Sequence, residues 1–312
     1  MFIYFAELCA MQNCRTPKEL SSSFFDQLAN FFLDRLANNC FITLIEYLYI
    51  SGDTMKLALT ALILLSSVSS LAIANELPSW MNERKIQGEN NLQPTSELRT
   101  SQIYGTLRGV AIVEKSYGRG FCTANRVGED LFMTNFHCED AIPCEDVQIR
   151  MGYEEGIDKE EQQVFKCVEV LAKNLKFDYA LYRVEKLNEL PNTVEEYPIL
   201  ELEAAELTQN MLVTVAGHPR GRMKEADVSE NCVISDPTIV SMAGRSTLKH
   251  LCDTEGGNSG SAIIDAATGH MIGIHWGGMT DKFNLAIPMY LVLEDIKSKV
   301  SEKEYAELNI AN

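Results

Sequence analysis

The chain has 312 residues, 46% of them hydrophobic and 23% charged, a balance that points to a folded globular protein and away from disorder. Its formal charge of −17 at pH 7 argues against nucleic-acid binding, which needs basic surface to neutralise phosphates, and against a polybasic membrane-surface protein. The length admits one large domain or two ordinary ones.

In chain order, the first feature is the run MKLALTALILLSSVSSLAIA at 55–74. Met55 is followed by one cation, Lys56, then by an uncharged Leu/Ala/Ile stretch that ends in the small-x-small Ala72-Ile73-Ala74. This three-part pattern predicts a secretory signal peptide cleaved after Ala74, hence a secreted or periplasmic protein with no membrane contact after cleavage. Met55 is then the expected initiator, and residues 1–54 a non-native extension from a mis-called start. The competing reading keeps residues 1–54 and makes the 18 residues of 57–74 a membrane span of near-minimal length.

Without the 4 Lys/Arg and 6 Asp/Glu of residues 1–74, the remainder carries 23 basic and 38 acidic side chains, a charge of −15. It keeps six cysteines: Cys122, Cys138, Cys144, Cys167, Cys232 and Cys252. An even count in an exported chain predicts three disulfides, and count alone leaves 15 connectivities open. A zinc reading of His137, Cys138 and Cys144 has no C-x2-C pair to support it, so no metal and no cofactor is expected.

Residues 75–102 are polar and aperiodic, a propeptide or loose arm. From 103 the pattern becomes short β-branched, aromatic and alternating runs: 109–113, 130–134, 147–151, 164–171 and 180–184. After an acidic stretch at 185–210, read as a linker with some helical content, a second set follows: 211–216, 227–234, 239–242, 261–265, 271–275 and 283–287. Many short strands at this spacing predict an all-β sandwich or barrel. Past Pro288 the period changes, and Leu291, Leu293, Ile296 and Val300 fall on one face of a C-terminal helix within 289–312.

Three segments carry chemistry. A hydrophobic strand, Leu131-Phe132-Met133-Thr134, runs to His137 and Cys138. Asp178 stands just before the apolar Tyr179-Ala180-Leu181. Ser259 sits in the glycine-rich Gly256-Gly257-Asn258-Ser259-Gly260-Ser261. A serine hydroxyl needs an adjacent base to become a nucleophile, and neutral imidazole suits that task. A buried carboxylate fixes the imidazole tautomer and stabilises the imidazolium. The N–H groups of Gly257 and Ser259 are candidate donors to a developing oxyanion. The order His137…Asp178…Ser259 is not the Ser…Asp…His order of α/β-hydrolases, and Gly257-Asn258-Ser259-Gly260-Ser261 is not their G-x-S-x-G elbow.

On these motifs the chain resembles trypsin/chymotrypsin-superfamily serine proteases, especially the bacterial trypsin-like and V8-like (glutamyl endopeptidase) branch. The Thr134-Asn135-x-His137, Asp178-Tyr179-Ala180-Leu181, Gly257-Asn258-Ser259-Gly260-Ser261 and Ile272-Gly273-Ile274-His275-Trp276-Gly277-Gly278 strings all match it. The resemblance covers about 103–300. It implies two six-stranded antiparallel β-barrels, at 103–184 and 211–288, with the active-site cleft between them. It also implies a secreted endopeptidase acting on protein or peptide substrates through His137, Asp178 and Ser259. The alternative is a catalytically silent protease-like binding protein, and the intact set of three residues speaks against it.

The resemblance implies further details. A Cys fifteen residues before the catalytic His closes its loop in the trypsin branch, which corresponds to Cys122–Cys138. Cys232–Cys252, flanking the segment that leads into the nucleophile turn, and with it Cys144–Cys167, complete the expected set. The S1 pocket is nominated at Asp253, Thr254, His275 and Gly277. Thr254 and His275 resemble the groups that bind a Glu side chain in V8-like enzymes. Asp253, six residues before Ser259, resembles the acid that pairs with Lys or Arg in trypsin, and the basic reading is the preferred one. Activation from a precursor is expected, with cleavage near Arg99. His218, His250 and His270 receive no role.

Overall fold

The polar segment before the barrels is built into sheet. In the structure, a computed structural model, residues 84–115 and 118–311 are described, all within the unit Leu77–Asn312. The expected extension and signal peptide lie outside the described residues. Strand β1 (Arg84–Lys85) and strand β2 (Gln93–Pro94) both pair with later parts of the chain, and a short helix α1 (Tyr104–Leu107) leads into the first barrel.

That barrel is closed and has six strands, as expected. They are β3 (Val110–Lys115), β4 (Arg119–Arg126), β5 (Leu131–Thr134), β6 (Val147–Met151), β7 (Gln163–Asn174) and β8 (Tyr179–Lys186). All pairings are antiparallel in the order β3-β4-β5-β8-β7-β6, and helix α2 (Phe136–Ala141) follows β5. Alternation on β6 puts Val147, Ile149 and Met151 inward against Phe132, Phe165 and Tyr182.

The second body has eight antiparallel strands, two more than expected. They comprise β9 (Val213–Gly217), β10 (Glu225–Asp227), β11 (Ile234–Met242), β12 (Arg245–His250), β14 (Ala262–Asp265), β15 (Met271–Met279), β16 (Phe283–Pro288) and the arm's β2, in the order β11-β12-β16-β15-β14-β9-β10-β2. The arm accounts for one extra strand, because β2 covers the edge that β10 would otherwise expose. Strand β13 (Thr254–Glu255) stands apart and pairs with β1.

A shared core joins the two bodies. Met133, Tyr179 and Leu181 of the first meet Ile264, Ile274 and Ile287 of the second, and helix α3 (Met289–Lys299) closes the cluster. Burying each large apolar side chain contributes roughly 1.5–3 kcal/mol. Helix α3 buries Met289, Val292, Leu293 and Ile296, an i, i+3, i+4, i+7 stripe. Leu291 and Val300, expected on that face, are only half-buried. A capping box at Ser301 and Glu304 starts a last helix, α4 (Glu302–Ala306).

Two differences from the sequence reading have clear causes. Residues 187–212 contain no helix. They form an extended strap whose Leu200 and Leu202 N–H groups donate to Arg126 (2.7 Å) and Asn309 (2.8 Å) carbonyls. Strands β4 and β12 carried too many polar residues to be read as strands. Residues 120–126 of β4 are all buried, between the barrel core and the turn that holds Ser259, so the strand lacks alternation.

Candidate active site

His137 and Asp178 come together where two strand ends of the first barrel meet. β5 pairs with the start of β8, Thr134 opposite Ala180, so the residues after β5 and before β8 are neighbours. The chain turns sharply at Asp178, whose φ of 39° lies in the left-handed region that Asp tolerates. The Asn135 side-chain amide holds the Asp178 carbonyl at 2.7 Å. The carboxylate then takes His137 twice: Oδ1 accepts the backbone N–H at 3.1 Å and Oδ2 lies 2.9 Å from Nδ1. Asp178 is fully buried, which by itself would raise its carboxyl. The hydrogen bonds and charge of His137, together with the Arg245 guanidinium, outweigh burial and hold it below the ordinary carboxylate range.

Ser259 belongs to the second body but rests on β4 of the first. The Thr123 N–H donates to the Ser259 carbonyl (2.8 Å), its hydroxyl to the Gly257 carbonyl (2.9 Å), and the Asn125 amide to the Gly260 carbonyl (2.7 Å). The neighbouring Cys122 is bonded to Cys138, beside His137. One strand therefore fixes both the His137 helix and the Ser259 turn. Gly257 has a φ of 98°, and a Cβ there would stand 2.4 Å from the His218 carbonyl oxygen, so the turn requires glycine. Among the described residues, neither the Gly257 N–H nor the Ser259 N–H has a protein acceptor. His137 and Ser259 line one cleft, together with Lys85, Glu255, Gly256, His275, Trp276 and Gly277.

Of the four S1 candidates, His275 and Gly277 line this cleft, whereas Asp253 and Thr254 do not. Asp253 is occupied by the arm: Oδ1 accepts the Gln87 N–H (2.6 Å), and Oδ2 accepts the Asn91 N–H (2.7 Å) and side-chain amide (3.0 Å). Thr254 is buried and pairs through its backbone with Lys85. This pairing delivers Lys85 to the cleft wall, a residue that lay in a segment read as loose.

His250 is another residue that sequence reasoning passed over. It is fully buried on β12, and its Nε2 lies 3.1 Å from Nδ1 of His275. Burial lowers His250 to about 3. Burial, followed by the fields of His250, His137 and Lys85, also brings His275 well below its ordinary value, so both rings are neutral at pH 7. Among the described residues, Nδ1 of His250 has no partner. A bare ring lone pair is the tolerable orphan and a buried N–H is not, so His250 Nε2–H donates to His275 Nδ1. That tautomer leaves the proton of His275 on Nε2.

Among the described residues, the disulfides are Cys122–Cys138, Cys144–Cys167 and Cys232–Cys252, the expected set. Cys122, His137 and Cys138 are close enough to suggest a metal cluster, but both sulfurs are disulfide-bonded and offer no thiolate. No helix among the described residues is long and apolar enough to cross a membrane.

The family model for the trypsin-like peptidase domain matches residues 118–274, half of the chain. The chain belongs to the trypsin-like peptidase family. It is similar to a glutamyl endopeptidase of Staphylococcus aureus (strain MRSA252), with 25% identity over 248 residues, covering 73% of this chain and 66% of that protein. It is also similar to a secreted RxLR effector protein of Plasmopara viticola, 27% identical over 200 residues, covering 60% of this chain and 48% of that one. A solved Glu endopeptidase structure has the same fold, with 14% identity, a TM-score of 0.50 and coverage of 71% of this chain and 99% of its own.

Proposed function

We propose that this trypsin-like family member is a secreted serine endopeptidase that cleaves after acidic residues. The observation that carries the catalytic part is the buried Asp178 carboxylate on Nδ1 of His137, with Ser259 in the same cleft. In the reaction, Ser259 Oγ attacks the peptide carbonyl while His137 Nε2 takes its proton. The Gly257 and Ser259 N–H groups stabilise the oxyanion. The tetrahedral intermediate expels the amine, which receives the His137 proton, and leaves an acyl-enzyme. Water, deprotonated by His137, then releases the acid and restores Ser259.

The P1 assignment departs from the basic reading of the sequence. Asp253 is occupied by Gln87 and Asn91, while the S1 side of the cleft carries Lys85 and the His275 ring. The acid that shares this wall, Glu255, is engaged by Arg222 at 2.8 Å and Arg220 at 3.3 Å. An ammonium and an imidazole N–H favour a carboxylate ligand and oppose a cationic one. The name of the Staphylococcus aureus relative agrees with this choice. Because residues 85–98 are hydrogen-bonded into the folded domain, we place processing of a precursor before β1 rather than near Arg99.

The test is cleavage of a mixed peptide library by the full chain, expressed with its disulfides, beside Ser259→Ala. Cuts after Glu and Asp by the wild type alone are expected. Cuts after Lys or Arg would overturn the P1 assignment, and equal cutting by Ser259→Ala would overturn the mechanism.

A further inference from the structure

Asp178 does not serve His137 alone. Arg245 reaches across from β12 of the second body, and its Nε donates to Oδ2 at 2.6 Å, the same oxygen that lies 2.9 Å from His137 Nδ1. The contact is built from several sides. The hairpin before β12 turns through left-handed Ala243 (φ 49°) and Gly244 (φ 79°). The Ser246 N–H then donates to the Lys176 carbonyl at 2.9 Å, which ties the hairpin to the loop that carries Asp178. The guanidinium lies 4.6 Å from the centre of the Trp276 ring, and Trp276 donates to Thr247 at 3.1 Å. The Arg245 side chain is 14% exposed and that of Asp178 is fully buried, so solvent screens the pair little.

The two-body arrangement gives this contact a chemical consequence. A carboxylate facing only an imidazole keeps its full charge until the imidazolium forms, and that charge favours the imidazolium. Guanidinium is a permanent cation and already neutralises part of it. We propose that Arg245 is a positioning residue which shares Oδ2 of Asp178 with His137, holds the carboxylate across the two bodies, and tempers its charge so that the base works at lower pH. This rests on the serine-endopeptidase reading above.

Other charges around the base do not substitute for Arg245. On the cleft side stand Lys85 of β1, His275 of β15 and Glu255 of β13, the last engaged by two arginines. On α2, Glu139 is paired with Lys173 of β7 at 2.7 Å. Asp140, next to it on α2, is exposed. Lys176, on the Asp178 loop, is turned over Phe177, 5.3 Å from the ring centre.

The test is the pH profile of kcat/KM, with kcat and KM resolved, for wild type, Arg245→Met and Arg245→Lys. Removing a cation beside the Asp–His pair should move the acid limb of Arg245→Met upward by about one pH unit. Arg245→Lys, which keeps the charge, should restore most of that shift. A folded Arg245→Met whose activity falls equally at every pH, with the limb unmoved, overturns the proposal and leaves a structural role only. Equal limb shifts in Met and Lys variants overturn it as well. An NMR titration of the His137 ring in Ser259→Ala, with and without Arg245→Met, reads the same effect without turnover. It should move in the same direction, and coincident curves overturn the proposal. If Arg245→Met does not fold, Arg245→Gln replaces it in both experiments. An inactive wild type, or a Ser259→Ala variant as active as wild type, instead rejects the endopeptidase reading.

Discussion

Replacing Asp253 by Ala separates two roles for the acid six residues before Ser259: a pocket group for a basic substrate, or the anchor of the N-terminal arm. In the structure its two oxygens accept three bonds of 2.6, 2.7 and 3.0 Å from Gln87 and Asn91. Its own N–H donates to Asp227 at 2.7 Å, so the anchor is itself held. Burial, joined by the neighbouring Asp227, holds the Asp253 carboxyl above its ordinary value although the arm's hydrogen bonds act to lower it. Bonds to a charged acceptor contribute roughly 1.5–3 kcal/mol each, so losing two backbone bonds corresponds to a release of about 3 kcal/mol or more. Hydrogen exchange of the Gln87 and Asn91 amides should therefore accelerate on the order of 10²-fold or more. The measurement belongs in Ser259→Ala, where the arm cannot be digested. In the active background, freeing Lys85 from the cleft wall should weaken cleavage after Glu chiefly through KM. Unchanged exchange combined with loss of cleavage after Lys or Arg would refute the anchor argument and return Asp253 to the pocket.

Other predictions concern the turn and the interior. Gly257→Ala places a Cβ 2.4 Å from the His218 carbonyl and 2.8 Å from the Arg220 nitrogen, both backbone atoms that cannot swing aside. If this turn holds the oxyanion as proposed, distorting it should lower kcat on the order of 10²-fold or more, measured with a peptide substrate. Lys224 and Glu154 form a buried ion pair at 3.2 Å, with Thr95 and Tyr104 also on the carboxylate. Glu154→Gln leaves the ammonium unpaired and should cost roughly 3–5 kcal/mol, read by urea unfolding. The same pair sets an acid response. Burial pushes Glu154 upward, but Lys224, Tyr104 and Thr95 hold it below its ordinary 4.5. The unfolded chain therefore takes up this proton first. The stabilisation is present above 4.5 and is lost as pH falls through the lowered folded value. The melting temperature should decline below about pH 4.5, and Glu154→Gln should flatten that decline.

Much of this architecture is legible in the sequence because its signals are local. The 131–134 and 147–151 runs read as strands because their side chains alternate or lie wholly in the core. His137, Asp178 and Ser259 stand out because each adjoins a strand end, where a turn exposes a side chain. What escaped notice depends on distant partners. Arg245 and His250 sit in a polar stretch, and their meaning comes from Asp178 and His275, 67 and 25 residues away. Thr123 supports the Ser259 turn from another body, and nothing around it in sequence marks that task. The arm is aperiodic because it is held by single bonds to Asp253 and by two-residue pairings, which leave no hydrophobic period to read.

Covalent labelling tests whether Ser259 is a nucleophile activated by His137. Purified protein would be treated with a fluorophosphonate and the adduct located by tandem mass spectrometry. One adduct is expected, on Ser259, formed at neutral pH and lost in His137→Ala. An unlabelled protein that is folded and disulfide-bonded, or an adduct on another serine, would contradict it.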